Sequence, residues 1–140
     1  MNKRKILVLD DDPVVVKALS IKLQAAGYQP LNATDPETAL RTVRTERPDL
    51  LIVDIHLPGS ALSGPQWSGF TLVQWLERLY EDWRKPVIII SADDPARHQD
   101  SARRIGAIAF FQKPIDHEKL LQTIASTLGQ AAESASSPSA

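Results

Sequence analysis

An α/β architecture, a five-stranded parallel sheet with helices on both faces, is what these 140 residues predict. Two observations carry the prediction. Four short apolar runs each lead to a polar side chain: Ile6-Leu7-Val8-Leu9 to Asp10 and Asp11, Leu50-Leu51-Ile52-Val53 to Asp54, Val87-Ile88-Ile89-Ile90 to Ser91, and Ala109-Phe110-Phe111-Gln112 to Lys113. Runs of this kind mark strands buried on both faces of a parallel sheet. Stretches with helical spacing alternate strictly with them, which argues for right-handed crossovers.

The first helix follows Asp12-Pro13, a cap residue and then proline at the first helical position. From Pro13 to Ala26 it sets Val15, Ala18, Leu19, Leu23 and Ala26 on one stripe. Lys22 falls inside that stripe and is expected to snorkel. Gly27 stops the helix, and Gln29 to Ala33 reads as the second strand. A second Asp-Pro step, Asp35-Pro36, opens a helix running to about Thr45. Phe70, Leu72, Val73, Leu76 and Leu79 mark the third helix. The fourth, Pro95 to Ile105 after Asp94, offers little apolar surface beyond Ala96, Ala102 and Ile105, and Gly106 ends it. Asp116 caps a fifth helix with Leu120, Leu121, Ile124 and Leu128. Residues 1–128 form one domain on this reading, and the Ala/Ser-rich 129–140 is expected to be a disordered tail.

Bulk composition excludes several classes. A hydrophobic fraction of 43% and a charged fraction of 24% suit a soluble globular domain. The net charge of -1 gives no reason to expect nucleic acid or an anionic membrane as a partner. No cysteine is present, so disulfides, thiolate metal sites and cysteine nucleophiles are excluded. The basic start is followed by an apolar run that ends at Asp10, too short for a signal-peptide core or a membrane span, so a cytoplasmic location is expected.

In open α/β sheets ligands bind beyond the carboxyl ends of the strands. Asp10, Asp11, Asp54, Ser91 and Lys113 therefore share one predicted rim. At this point the motifs match a family. Ile6-Leu7-Val8-Leu9-Asp10-Asp11-Asp12-Pro13, the segment from Pro48 through Asp54 to Gly59, Ile90-Ser91-Ala92 and Lys113-Pro114 together resemble the receiver domain of two-component response regulators, from about Lys5 to Leu128. The resemblance implies the flavodoxin-like, doubly wound strand order 2-1-3-4-5. It implies Asp54 as the residue phosphorylated by a histidine kinase or histidine phosphotransfer protein, and Asp10 and Asp11 as the pair that holds Mg²⁺, with Asp54 and the backbone carbonyl of His56 as further ligands. It implies Ser91 and Lys113 as contacts of the phosphoryl group, a cis Lys113-Pro114 bond, and Phe110 as the switch aromatic three residues before the lysine.

The chemistry asks for these residue types. Carboxylates ~4 Å apart repel by roughly 4 kcal/mol per pair at a surface-like dielectric, so three together need a cation. Oxygen ligands with water suit Mg²⁺. A carboxylate nucleophile forms an acyl phosphate, and the adduct is here the signal. A phosphoryl group would draw Ser91 inward and let Phe110 rotate, shifting the surface of the fourth helix, last strand and last helix toward an unknown downstream protein. Phe110 lacks the hydroxyl of a tyrosine, so rotation would rest on packing. The expected protein is no enzyme beyond slow self-catalysed phosphoryl transfer and dephosphorylation.

Three features sit outside that scheme. Val14, Lys17, Ile21 and Gln24 form a second face of the first helix, suited to docking a helical phosphotransfer domain or else scattered exposed aliphatics. Ser60 to Ser68 enlarges the loop before Gly69, pinned by Trp67 or acting as a lid. His56, His98 and His117 are expected to be surface residues, with a minor role in phosphoryl lifetime open to His56. No output domain follows Leu128, so a stand-alone receiver is expected. Two rival functions remain: a receiver-like binding module independent of phosphorylation, and a haloacid dehalogenase-like phosphatase with Asp10 as nucleophile.

Overall fold

The apolar runs become strands whose alternate residues serve two different cores. In a computed structural model, residues 3–56, 68–80 and 83–129 are described. Strands β1 (Lys5–Leu9), β2 (Gln29–Ala33), β3 (Leu50–Asp54), β4 (Val87–Ser91) and β5 (Ala109–Gln112) form one sheet of order β2-β1-β3-β4-β5, every pair parallel. Leu7, Leu9, Leu51, Val53, Val87 and Ile89 face α2 (Pro36–Glu46) and α3 (Gly69–Leu79). Ile6, Val8, Leu50, Ile52, Ile88 and Ile90 face α1 (Pro13–Ala25) and α5 (His117–Leu128). Neither face of the three central strands meets water, so no position in them is free to be polar until the strand ends. Each such side chain contributes about 1.5–3 kcal/mol by burial, which fixes the register and with it the strand ends.

The helix starts form as their caps dictate. Asp12 accepts the Val14 N–H at 2.9 Å, Asp35 accepts the Thr38 N–H at 2.8 Å, and Asp116 accepts the Lys119 N–H at 3.1 Å. Gly27 and Gly106 take the positive φ that ends their helices, at 94° and 71°.

Packing corrects four expectations. On α1 the buried residues are Val16, Leu19 and Leu23, a stripe turned toward Val16; Ala26 is an exposed cap residue and Lys22 is simply solvated. The fourth helix is a 3-10 turn, Pro95–His98, followed by a short α4 (Gln99–Arg104), with Ile105 buried at its end and Ala96 exposed. Leu79 at the end of α3 is exposed. β5 is an edge strand whose aromatics are only half-buried, so its apolar run reflects one covered face and a partly covered one. Most of the enlarged loop, Ser60 to Trp67, and the tail beyond Gly129 lie outside the described residues.

Candidate functional site

The register lines up the chemically active ends. Leu9 pairs with Val53, Asp54 with Ile90, and Ser91 with Gln112. Asp10, one residue past β1, and Lys113, one residue past β5, thus share the carboxyl edge with Asp54 and Ser91. Asp10 and Ser91 are fully buried, Asp54 is 5% exposed, and Asp11 is exposed. One carboxylate oxygen from each of Asp10, Asp11 and Asp54 lies within 4.8 Å of the others, the one such acidic or histidine group among the described residues.

Lys113 answers that charge. Its Nζ stands 2.7 Å from Asp10 Oδ2 and donates to Asp54 Oδ2 at 3.1 Å. The short approach to Asp10 is an ion pair, and Asp10 Oδ2 is buried without a hydrogen bond among the described residues. The other Asp10 oxygen accepts the Asp12 N–H at 2.9 Å, and Asp54 Oδ1 accepts the His56 N–H at 3.1 Å. Burial, and after it the charge of Asp10, pushes the Asp54 carboxyl above its ordinary value, against the opposing pull of the His56 N–H and Lys113. Burial alone would lower the Lys113 ammonium; its close contacts with the carboxylates of Asp10 and Asp54 outweigh that and raise it.

Three carboxylates against one ammonium leave a local excess of negative charge. The donors are all oxygen, and one buried carboxylate oxygen lacks a hydrogen bond among the described residues. Such a set fits a hard divalent cation that keeps part of its water, as Mg²⁺ does.

Two backbone features hold Asp54 in place. Gly69, the first residue of α3, donates its N–H to Ile55 at 2.9 Å. A Cβ on Gly69 would collide with the Asp54 carbonyl oxygen and stand 2.6 Å from Val53 Cγ1, so only glycine allows this approach. On the other side the Lys113 N–H donates to the Ser91 carbonyl at 2.8 Å, and Lys113-Pro114 is cis.

The Ser91 hydroxyl accepts the Asp93 N–H at 3.0 Å. Asp93 itself is a residue the sequence did not single out. Its Oδ2 lies 2.8 Å from Nε2 of both His56 and His98. These partners, His98 first, hold the Asp93 carboxyl down at about 2. The His98 ring is mostly covered: it stacks on Phe110 at 6.2 Å and 12° and meets Phe70 at 5.9 Å. His98 is therefore no ordinary surface residue. It joins the loop after Asp54, the loop after Ser91 and the half-buried Phe110 through one carboxylate. His117 is half-buried at the start of α5, away from these contacts. Only a helix-cap signal at Asp94 marked this stretch in the sequence, and His56 and His98 are 42 residues apart; nothing local announces the bridge.

A doubly wound sheet carrying an acidic, lysine-countered pocket at its carboxyl edge defines a phosphoacceptor signalling module. Comparison with known proteins agrees. The model of the response regulator receiver domain matches residues 6–125. Protein PilH of Pseudomonas aeruginosa is 32% identical over 124 residues, covering 89% of this chain and 97% of PilH. The polar-differentiation response regulator DivK of Brucella anthropi is 29% identical over 128 residues, covering 91% and 98%. Among solved structures, the chemotaxis protein CheY4 of Vibrio cholerae superposes with a TM-score of 0.78 at 25% identity, covering 91% of this chain and all of that one. The chain belongs to the response regulator receiver domain family, and its fold and signalling class are those the sequence predicted.

Proposed function

We propose that Asp54 is the phosphoacceptor of this receiver, with Mg²⁺ held by Asp10, Asp11, Asp54 and the His56 carbonyl. The observation that carries the reading is the meeting of three carboxylates within 4.8 Å, with Lys113 Nζ 3.1 Å from Asp54. In the step, a carboxylate oxygen of Asp54 forms the new P–O bond while the P–N bond of a donor phosphohistidine breaks, its electron pair returning to the imidazole. Bound Mg²⁺ supplies positive charge against the phosphoryl oxygens. Lys113 supplies the second positive charge from the β5 side, and its raised pKa keeps it an ammonium. Ser91, on the adjacent strand, contributes a hydroxyl that leaves the Asp93 N–H to meet a phosphoryl oxygen. Release of that contact disturbs Asp93, and through His98 it reaches Phe110 and the short α4. Exchange of this surface is the output, a population shift rather than turnover.

Asp10 is a poor candidate for the nucleophile. It is fully buried, one oxygen accepting the Asp12 N–H and the other against Lys113. The donor side is served by the exposed Val14 and Ile21 on α1, 74% and 56% accessible with Lys17 beside them, a surface suited to the helices of a phosphotransfer partner. No helix among the described residues is long and apolar enough to cross a membrane, which accords with action in the cytoplasm. The test is incorporation of phosphate from acetyl phosphate with Mg²⁺. Wild type should label and Asp54→Ala should not; equal labelling of both removes the assignment.

A further inference from the structure

A second cavity lies at the opposite, N-terminal edge of the sheet, unrelated to the acidic pocket. Val43, Arg44, Arg47 and Pro48 at the end of α2 form one wall; Tyr80, Trp83 and Lys85 beyond α3 form the other. Its volume is about 250 Å³. We propose that this cavity binds a mononucleotide, the base lying against Tyr80 and Trp83 and the phosphate meeting Arg44, Arg47 and Lys85.

Charge is the first support. Arg44, Arg47 and Lys85 are exposed, and none is in an ion pair among the described residues. The acids nearest in sequence on the α2 side are already engaged. Glu46 pairs with Lys5 Nζ at 3.1 Å, and Asp49 accepts the Lys5 backbone N–H at 2.8 Å. Glu81 and Asp82 lie outside the described residues. The carboxyl ends of α2 and α3 bring roughly -0.5 charge each, which the three cations among the described lining residues exceed. An arginine-lined site of this sign suits a phosphate.

The ring side is the second support. Tyr80 and Trp83 are half-buried and packed against the core of that face. Among the described residues the buried Trp83 Nε1–H has no acceptor, an unmet donor of the kind that costs free energy. Aromatic faces beside cations take a nucleobase by stacking. Size limits the ligand. The cavity falls just under the ~300–1,000 Å³ usual for drug-sized ligands, room for one base and sugar and not for two.

Backbone strain is the third. Arg47 is the one non-glycine residue with positive φ among the described residues, at 50°. A left-handed residue with a Cβ costs roughly 1–2 kcal/mol that glycine would avoid. The residue there is an arginine, and it lines the cavity.

The test titrates the full chain with AMP, adenosine and inorganic phosphate separately, in EDTA so that no metal bridges a nucleotide to the acidic pocket. Calorimetry reads affinity, and the indole N–H resonance of Trp83, assigned by Trp83→Phe, reads location. AMP should bind saturably with a dissociation constant below about 1 mM and shift that resonance. The double variant Arg44→Gln/Arg47→Gln alters exposed side chains, and an unchanged melting temperature verifies its fold. It should weaken AMP by about tenfold or more, while Asp54→Asn leaves AMP binding as it was. Lack of saturation at ~1 mM, unchanged affinity in the double variant, or loss of binding in Asp54→Asn overturns the proposal. So does adenosine or inorganic phosphate binding as tightly as AMP, since then only half of the site is real. Should Trp83→Phe fail to fold, calorimetry on the arginine variants decides alone.

Discussion

Replacing Asp54 by asparagine should make the metal-free protein more stable. The Asp54 carboxyl sits above its ordinary value of 3.8 in the folded chain, chiefly through burial and then through Asp10. A carboxyl raised on folding binds its proton more tightly in the native state, so its ionised form is a native-state cost wherever it is charged. The cost is full above the folded pKa and is relieved as pH falls through that value toward 3.8. Oxygens within 4.8 Å of one another repel by at least ~3.5 kcal/mol at an effective dielectric of 20. The Lys113 bond and solvent at the pocket mouth offset much of this, leaving a gain of about 1 kcal/mol, or about 3–5 °C in melting temperature for a domain this size. Urea denaturation of wild type and Asp54→Asn in EDTA, at pH 7.5 and stepwise down to pH 4, measures it. The gap should shrink as the pH falls. Mg²⁺ should reverse the order, since saturation at a hundred times its dissociation constant adds about 2.7 kcal/mol to wild type and far less to the variant. A variant no more stable than wild type in EDTA at pH 7.5 refutes the electrostatic reasoning.

Gly69→Ala should destabilise by about 1–3 kcal/mol through its collision with the Asp54 carbonyl; thermal melts check the loss, and labelling should fall too if Asp54 is the acceptor, because its strand must shift. Asp10→Asn should leave the chain folded while Mg²⁺-dependent labelling from acetyl phosphate drops steeply, measured as initial rate against metal concentration. Asp93→Asn should lower stability at neutral pH, with the difference vanishing as pH falls from 3.8 through about 2, because the paired carboxylate contributes above its unfolded value and loses that contribution on protonation; acid titration followed by circular dichroism tests the window. His98→Ala should free Phe110 and raise the exchange broadening of its ring resonances, an effect absent if the 12° stack holds nothing.

Much of this molecule was legible before its fold was known because its strands are extreme. Ile6 to Leu9, Leu50 to Val53 and Val87 to Ile90 are apolar at every position, so both their burial and the abrupt polarity of Asp10, Asp54 and Ser91 stand out. The Asp-Pro steps fixed helix starts for a local reason, side chain to N–H two or three residues on. What stayed hidden depended on packing. The turn of α1 toward Val16 is decided by the sheet beneath it, and β5 reads like a central strand although it lies at the edge. The His56–Asp93–His98 bridge joins the loop after Asp54, the loop after Ser91 and the 3-10 turn through polar groups that show no periodicity. The acidic pocket was found through motifs; its histidine extension was not, because a lone histidine gives no signal until its partner is placed.

The proposed acceptor carboxylate and its helpers come from Asp54, Asp10 and Lys113, at the carboxyl ends of the third, first and fifth strands of the sheet. No fragment of the chain shorter than that span can assemble them. Radiolabel taken up from a small-molecule donor therefore counts completed molecules one by one, and a refolding experiment quenched at successive times could use it as a stopwatch for the moment the last strand docks.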